Sequence, residues 1–185
     1  MKILTIILTV LSAFFTNLEN RTLQSDFVAT VTEQADAPEN FPGTITMRGS
    51  QFILSVGEVD AAFDGKTMYM YSAETDELTL TNPTEEELLD SNPFLMAKAI
   101  AEVCTIVERG NEQQTVITLT PNDRSLEINR FVLKVRTMDL MPLQLEMREG
   151  TKVSTLKLIN PMYVNAIPPF TIQPDETTFV NDMRF

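Results

Sequence analysis

"DGKTMYMYSAETDELTLTNPTEEELLDSNPFLMAKAI", residues 64–100, decides the fold because its hydrophobic period changes halfway along. In the first half apolar and polar positions alternate, which predicts a pair of β-strands. In the second half the apolar positions recur at helical spacing. A chain that alternates like a β-protein almost everywhere else is therefore expected to carry one short apolar helical insertion.

Two capping signals define this insertion. Thr84 and Glu87 match a capping box, which predicts a first helix at "EEELLD". Asn92 followed by Pro93 predicts the start of a second helix, "FLMAKAIAEV". The apolar residues of the second helix, Val103 included, spread around most of its surface, so it should contact the protein on more than one side. We expect the whole insertion to cover about residues 84–103.

The remainder of the chain is typical of an antiparallel sheet. After residue 26, apolar residues recur at every second position, and turn signals such as "RGS" and "DGK" separate the runs. This spacing predicts a meander of about ten strands with one apolar and one polar face. Right-handed twist curls so long a sheet towards a barrel. We therefore predict a mainly β protein with a helical insertion, in which the antiparallel sheet curls into a barrel or half-barrel and the insertion forms a lid over it.

Two interpretations of the lid stay open. The helical insertion can be a plug that completes an ordinary core, or a movable cover over a cavity.

Composition excludes several classes of function. The formal charge of -12 leaves no basic footprint for nucleic acid. The chain has no histidine and one cysteine, Cys104, so it lacks the imidazole of Ser/His and Cys/His nucleophile systems and of His-ligated metal sites. Cys104 lies in an apolar run and is expected to be a buried small side chain. We predict neither an enzyme nor a bound cofactor or metal.

The first fifteen residues, "MKILTIILTVLSAFF", combine a basic start with a short apolar stretch. This pattern predicts a secretory signal peptide, residues 1–15, with a cut after Ser12 or Ala13; an uncleaved anchor is the alternative. Residues 16–185 are then expected to form one exported domain.

Four segments in order resemble a known family. "GTITMRGSQFIL" is similar to its second and third strands, "FDGKTMYMYSAETDELTL" to its Asp-Gly-Lys-Thr hairpin, "NPTEEELLDSNPFLMAKAI" to its lid, and "FVNDMRF" to its closing strand. The family is that of the LolA-like periplasmic carriers of outer-membrane lipoproteins, especially the Bacteroidetes-type forms. The resemblance runs from about Leu23 to the C-terminus.

The resemblance implies an unclosed antiparallel β-barrel, a half-barrel covered by a short α-helical lid. It also implies a periplasmic chaperone whose hydrophobic cavity shields the acyl chains of lipoproteins. In the family, an inner-membrane ABC transporter releases the cargo and an outer-membrane acceptor receives it. We expect a monomer that binds acylated lipoproteins and no nucleic acid. Three alternatives stay open: a carrier or sensor of other lipids or glycolipids on the same fold, an integral outer-membrane barrel, and, last, an enzyme.

The family also suggests site residues. Arg48 matches an arginine associated with holding the lid closed; alternatively it is a solvated charge at the end of a strand. The residues expected to line the acyl-chain cavity are Met47, Phe52, Leu54, Met68, Met70, Leu88, Phe94, Leu95, Met96 and Ile100. Several are methionines, whose flexible side chains suit a cavity that must also release its cargo.

Two features depart from the family pattern. Only "TNLENRTLQSD", residues 16–26, separates the predicted signal from the first strand, so the first helix should be truncated. The hairpin carries Tyr69 where many relatives have tryptophan, which should alter the shape of the cavity.

Overall fold

A computed structural model describes residues 2–34 and 36–184, with side chains from Val10 onwards. These residues form three helices and twelve strands. The helices are α1 (Lys2–Asn20), α2 (Glu85–Ser91) and α3 (Pro93–Ala101). The strands are β1 (Thr22–Glu33), β2 (Glu39–Arg48), β3 (Gln51–Val56), β4 (Val59–Phe63), β5 (Met68–Ser72), β6 (Glu77–Thr81), β7 (Cys104–Gly110), β8 (Gln114–Pro121), β9 (Ile128–Arg136), β10 (Pro142–Glu149), β11 (Lys152–Val164) and β12 (Phe179–Asp182).

All the described strands join one sheet in the order β12-β6-β5-β4-β3-β2-β1-β11-β10-β9-β8-β7. Each neighbouring pair among them is antiparallel except β12 with β6, which is parallel. The edge strands β12 and β7 do not pair with each other, so the barrel is unclosed, as the family resemblance implies. The alternation predicted about ten strands and missed β7, whereas β12 was expected only from the resemblance of "FVNDMRF" to the closing strand of the family.

Inward-facing side chains form continuous rows across the strands. One row joins Met47, Phe52, Phe63 and Met68 through successive antiparallel pairs, and all four are buried. Side chains in paired positions point to the same face of a sheet, so this row identifies the concave face. The Met68/Met70 face is therefore the concave one.

The second helix of the lid ends two residues before its predicted end at Val103. α3 ends at Ala101 and β7 begins at Cys104, so Val103 lies in the intervening turn with its side chain half exposed. Thr105, Ile106 and Val107 are β-branched, which disfavours helix and favours strand. Cys104 is partly buried, and burial raises the pKa of its thiol.

In the full chain, helix α1 extends back through the predicted signal segment. It runs from Lys2 to Asn20, and four apolar residues at helical spacing pack into the main core: Leu11, Phe14, Phe15 and Leu18. The first helix of the mature protein stays predicted to be truncated, because the core face of α1 lies partly within the predicted signal segment. A cut after Ser12 would leave residues 13–20 of the helix, and a cut after Ala13 would leave residues 14–20. The signal peptide and its cleavage stay predictions.

The C-terminus of α1 docks on the sheet through specific contacts. The backbone N–H of Gly49, in the β2–β3 turn, donates to the carbonyl of Leu18 at 2.7 Å and so satisfies a free helix-end acceptor. Gly49 has a φ of +59°, which favours glycine. The Arg21 guanidinium lies 3.8 Å from the ring centre of Tyr163. No helix among the described residues has the length and apolar character needed to span a membrane.

Gly43 is required where β1, β2 and β3 approach each other closely. A Cβ atom at this position would overlap the carbonyl oxygen of Ser55 and lie 2.6 Å from Cζ of Phe27. We expect Gly43→Ala to lower the free energy of unfolding by about 1–3 kcal/mol because neither neighbour can move freely. Urea unfolding measures this loss. Thr44→Ala, at the adjacent exposed position, is the control and should cost less than about 1 kcal/mol; equal losses would contradict the close approach.

Candidate functional site: an apolar cavity under the lid

An apolar cavity of about 210 Å³ lies between the concave face and the junction of α2 and α3. Five strands and this junction form its wall. The lining residues are Phe27, Ala29, Thr30, Val31, Ile45, Phe52, Leu54, Val56, Ser91, Asn92, Pro93, Leu145, Met147, Ser154, Thr155 and Leu156. None of these described residues is ionisable, so the cavity suits a neutral apolar ligand.

The register of the sheet explains why the wall is apolar. Ala29 of β1 pairs with Leu156 of β11, which pairs with Leu145 of β10. On the other side, Ile45 of β2 pairs with Leu54 of β3. Each strand contributes every second residue to the concave face. Inward apolar positions of strands that are distant in sequence therefore meet around one space.

The lid consists of two capped helices that share one residue. In the capping box of α2, the Thr84 N–H donates to Oε2 of Glu87 at 2.8 Å, and the Glu87 N–H donates to Oγ1 of Thr84 at 3.3 Å. Asn92 is the C-cap of α2 and the N-cap of α3. Both predicted helix starts are confirmed. The shared cap places residues 91–93 against the cavity.

Helix α3 carries most of the attachment of the lid. Phe94 is buried and packs on Phe14 of α1, with ring centres 6.4 Å apart. Lys98 forms an ion pair with Glu19 of α1, but both side chains are about half exposed, so the pair contributes at most about 1 kcal/mol. None of the residues of α2, all of which the structure describes, is fully buried. Apolar packing of α3 therefore dominates the closed position.

A second cavity of about 300 Å³ lies between α1, α3 and the β2–β3 turn. It is more polar than the first because Glu19, Ser50 and Lys98 contribute to its wall. Three residues predicted for the acyl-chain cavity lie here instead: Met47, Phe94 and Leu95.

The other predicted residues are distributed over several places. Phe52 and Leu54 line the apolar cavity. Met68 is buried in the main core, and Leu88, Met96 and Ile100 are partly buried against that core. Met70 is 43% exposed and lines neither cavity, although it lies on the concave face. The prediction that Met70 lines the cavity was wrong. Met70 lies on β5, three strands away from β2, and this part of the sheet does not line the apolar cavity.

The side chain of Arg48 makes no hydrogen bond or ion pair with any described residue, so it has no polar contact with the described residues of the lid. It follows the inward Met47 on β2 and is paired with Gln51. Alternation along the strand therefore directs its side chain away from the concave face. Its role in holding the lid stays a prediction from the family resemblance.

Sequence reasoning missed most of the cavity wall on β1, β10 and β11. The signal was present in the alternation, which places Phe27, Ala29 and Val31 on one face. What the alternation could not supply was the neighbour of β1, because β11 follows it by more than a hundred residues. Asn92 was recognised only as a cap.

The matching family model is described as "Outer membrane lipoprotein carrier protein LolA", and it covers residues 21–151. A search of curated proteins gives no significant match. Among solved structures, an uncharacterized conserved protein from Thermus thermophilus is similar with a TM-score of 0.62 at 12% identity, over 94% of this chain and 97% of that one.

Two further structures are similar at low identity. The lipoprotein LppX from Mycobacterium tuberculosis has a TM-score of 0.52 at 11% identity, over 89% of this chain and 98% of that one. A LolA superfamily protein from Nitrosomonas europaea has a TM-score of 0.47 at 12% identity, over 89% of this chain and 96% of that one. At these identities the likeness concerns the fold alone, and the narrower Bacteroidetes-type resemblance stays a prediction. Because the family model covers well over half of its residues, the chain belongs to the family of the outer-membrane lipoprotein carrier protein LolA.

Proposed function

We propose that this protein is a periplasmic carrier that shields the acyl chains of lipoproteins and transfers them from the inner to the outer membrane. The observation that carries the proposal is the apolar cavity between the sheet and the lid, in a chain of the LolA family. An inner-membrane ABC transporter would supply the cargo and an outer-membrane acceptor would receive it. The protein would act by binding alone, with no reaction of its own.

Physical chemistry explains why such a carrier needs a cavity. Moving three acyl chains of about sixteen carbons into water would cost on the order of 30 kcal/mol, at about 0.8 kcal/mol per methylene. Free diffusion of the cargo is therefore excluded. An apolar wall replaces the hydrocarbon of the bilayer during the passage.

The size of the cavity favours a lid that moves. A dry apolar cavity of about 150 Å³ holds one benzene molecule, so about 210 Å³ has room for only a segment of an acyl chain. Larger cargo would displace the junction of α2 and α3 and merge this space with the second cavity. The weakly buried α2 offers little resistance to that displacement.

A carrier or sensor of other lipids is the second candidate. The small size of the cavity favours this candidate, because a segment of a single chain fits without displacement of the lid. Mass spectrometry of lipid extracted from the purified protein separates the candidates. Lipoprotein-derived acyl chains support the carrier of lipoproteins, and stoichiometric free lipid or glycolipid supports the alternative.

The direct test uses inner-membrane vesicles that hold labelled triacylated lipoprotein and an energised lipoprotein-releasing transporter. The protein cut after Ala13, which keeps Phe14 of the contact with Phe94, is added, and the soluble fraction is analysed for label. We expect a defined complex of the protein with the lipoprotein. Vesicles that release label to a known carrier but none to this protein would contradict transport of lipoproteins.

The acidic surface predicts a salt-dependent encounter with a basic partner surface. The formal charge is -12, and attraction between opposite charges accelerates association at low ionic strength. We expect the rate of transfer to the acceptor to fall about tenfold between about 0.01 and 0.15 M salt, as the screening length shortens. Stopped-flow transfer kinetics measure the rate. A rate that does not change with salt would exclude electrostatic steering.

A further inference from the structure

Asn92 lines the apolar cavity and holds a buried hydrogen-bond donor that has no partner among the described residues. The side chain is 2% exposed. Its Oδ1 accepts from the backbone N–H of Phe94 at 3.0 Å and from that of Leu95 at 3.4 Å. Because both partners are donors, the atom that faces them must be the amide oxygen. The nitrogen Nδ2 is therefore the atom on the opposite side of the amide group. Nδ2 is buried without a hydrogen-bond partner among the described residues.

Capping of α3 does not explain the amide nitrogen. Serine and aspartate cap helices about as well as asparagine, and neither carries an NH₂ group. An unpartnered donor in an apolar environment is unfavourable. Its presence in the cavity wall points to a ligand that supplies an acceptor.

The surroundings define the chemistry of that acceptor. The Ser91 hydroxyl already donates to the carbonyl of Leu88, and the Thr30 hydroxyl donates to Oδ1 of Asn40. Because the described lining residues include no cationic side chain, a carboxylate would be desolvated without a counter-charge. A ligand with a neutral carbonyl oxygen on an apolar chain fits both features. The chain contacts the apolar wall, and the carbonyl oxygen accepts a hydrogen bond from Nδ2 of Asn92.

We propose that Nδ2 of Asn92 donates a hydrogen bond to the carbonyl oxygen of an acyl ester or acyl amide bound in the cavity. This inference rests on the proposed function, since it names the group of the lipid that the site recognises. The hydrogen bond would hold the carbonyl at the junction of α2 and α3, with the hydrocarbon chain extending along the apolar wall. Asn92 would then contribute both to the cap of the lid and to the choice of ligand.

The test compares lipids that differ only at this carbonyl. Fluorescently labelled diacylglycerol is compared with its diether analogue of equal chain length, and with an acyl-amide analogue. We expect the wild-type protein to bind the ester and amide about tenfold more tightly than the ether, because an ether lacks the carbonyl acceptor. Asn92→Ser keeps an acceptor for the helix cap but removes the NH₂ group. The serine hydroxyl can still donate, but it lies one bond closer to the backbone and does not reach the position of Nδ2. Asn92→Ser should bind ester, amide and ether with similar affinity.

Ser91→Ala is the matched control, because Ser91 also lines the cavity but its hydroxyl is already engaged. It should keep the preference for the ester. Two results would overturn the inference and leave the proposed function standing. The first is equal affinity of the wild-type protein for ester and ether. The second is a preference for the ester that persists in Asn92→Ser. Binding of neither lipid would overturn both. If Asn92→Ser fails to fold, the affinities of the wild-type protein for ester and ether still test whether a carbonyl is recognised.

Discussion

Replacing Ala29 by phenylalanine is expected to weaken the binding of an acyl chain by about 10- to 200-fold without loss of stability. Ala29 lines the apolar cavity, so a phenyl ring at this position would occupy space that the ligand needs. Each methylene excluded from the cavity costs about 0.8 kcal/mol, and excluding two to four of them gives this range. Because the ring fills a void, the free energy of unfolding should stay unchanged or rise by about 0.5–2 kcal/mol.

Fluorescent acyl-chain titration and urea unfolding measure the two effects of Ala29→Phe. The control is Val28→Phe, at the adjacent position of β1, which alternation directs away from the cavity. Val28→Phe should leave the affinity within about twofold, which is less than the effect of one methylene. Unchanged affinity in Ala29→Phe, together with an intact fold, would show that the ligand lies elsewhere.

Replacing Phe94 by alanine is expected to lower the free energy of unfolding by about 3–5 kcal/mol. Phe94 is the large buried side chain of α3 and packs on Phe14, and losses of this size are typical when a buried phenylalanine is truncated. Since Phe94 joins the lid to α1, the loss should appear first as detachment of the lid. Hydrogen exchange of the α3 amides should therefore accelerate more than that of the central strands.

Leu95→Ala is the control for Phe94→Ala. Leu95 is adjacent on α3 but only partly buried, so the free energy of unfolding should fall by less, about 1–2 kcal/mol. Similar losses in both variants, or uniform acceleration of exchange over the whole sheet, would contradict a lid that is held by Phe94. In the vesicle assay, Phe94→Ala should also release less lipoprotein as a defined complex, because the cover over the acyl chains is lost.

The sequence alone predicts most of the architecture because the local signals are unambiguous. Thr84 with Glu87, and Asn92 with Pro93, identify the helix starts, since few other residues satisfy free backbone N–H groups so well. Strict alternation identifies most strands. The error at Val103 arose because an apolar run of this length fits either a helix or a strand. Strand β7 was not predicted for the same reason, because it follows directly within this apolar run.

The site was predicted less well than the fold because it depends on contacts between distant segments. Phe52 and Leu54 were identified from their own strand, whereas Leu145 and Leu156 enter the wall only through the pairing of β1 with β11. Met70 satisfies the same alternation as Met68 but lies beyond the lid, and alternation carries no information about what covers a strand. For α1, a single apolar stretch fits both a secretory signal and the core face of a helix.

The measurement that tests the central claim most directly is the quenching of a single tryptophan by brominated acyl chains. The natural chain contains no tryptophan, so one introduced residue reports alone. Leu54→Trp places the reporter in the cavity wall, and Ile53→Trp places it on the opposite face of the same strand. Quenching of Leu54→Trp but not of Ile53→Trp is the result that the account predicts. Equal quenching at both positions, or none at Leu54→Trp when lipid is bound, would contradict it.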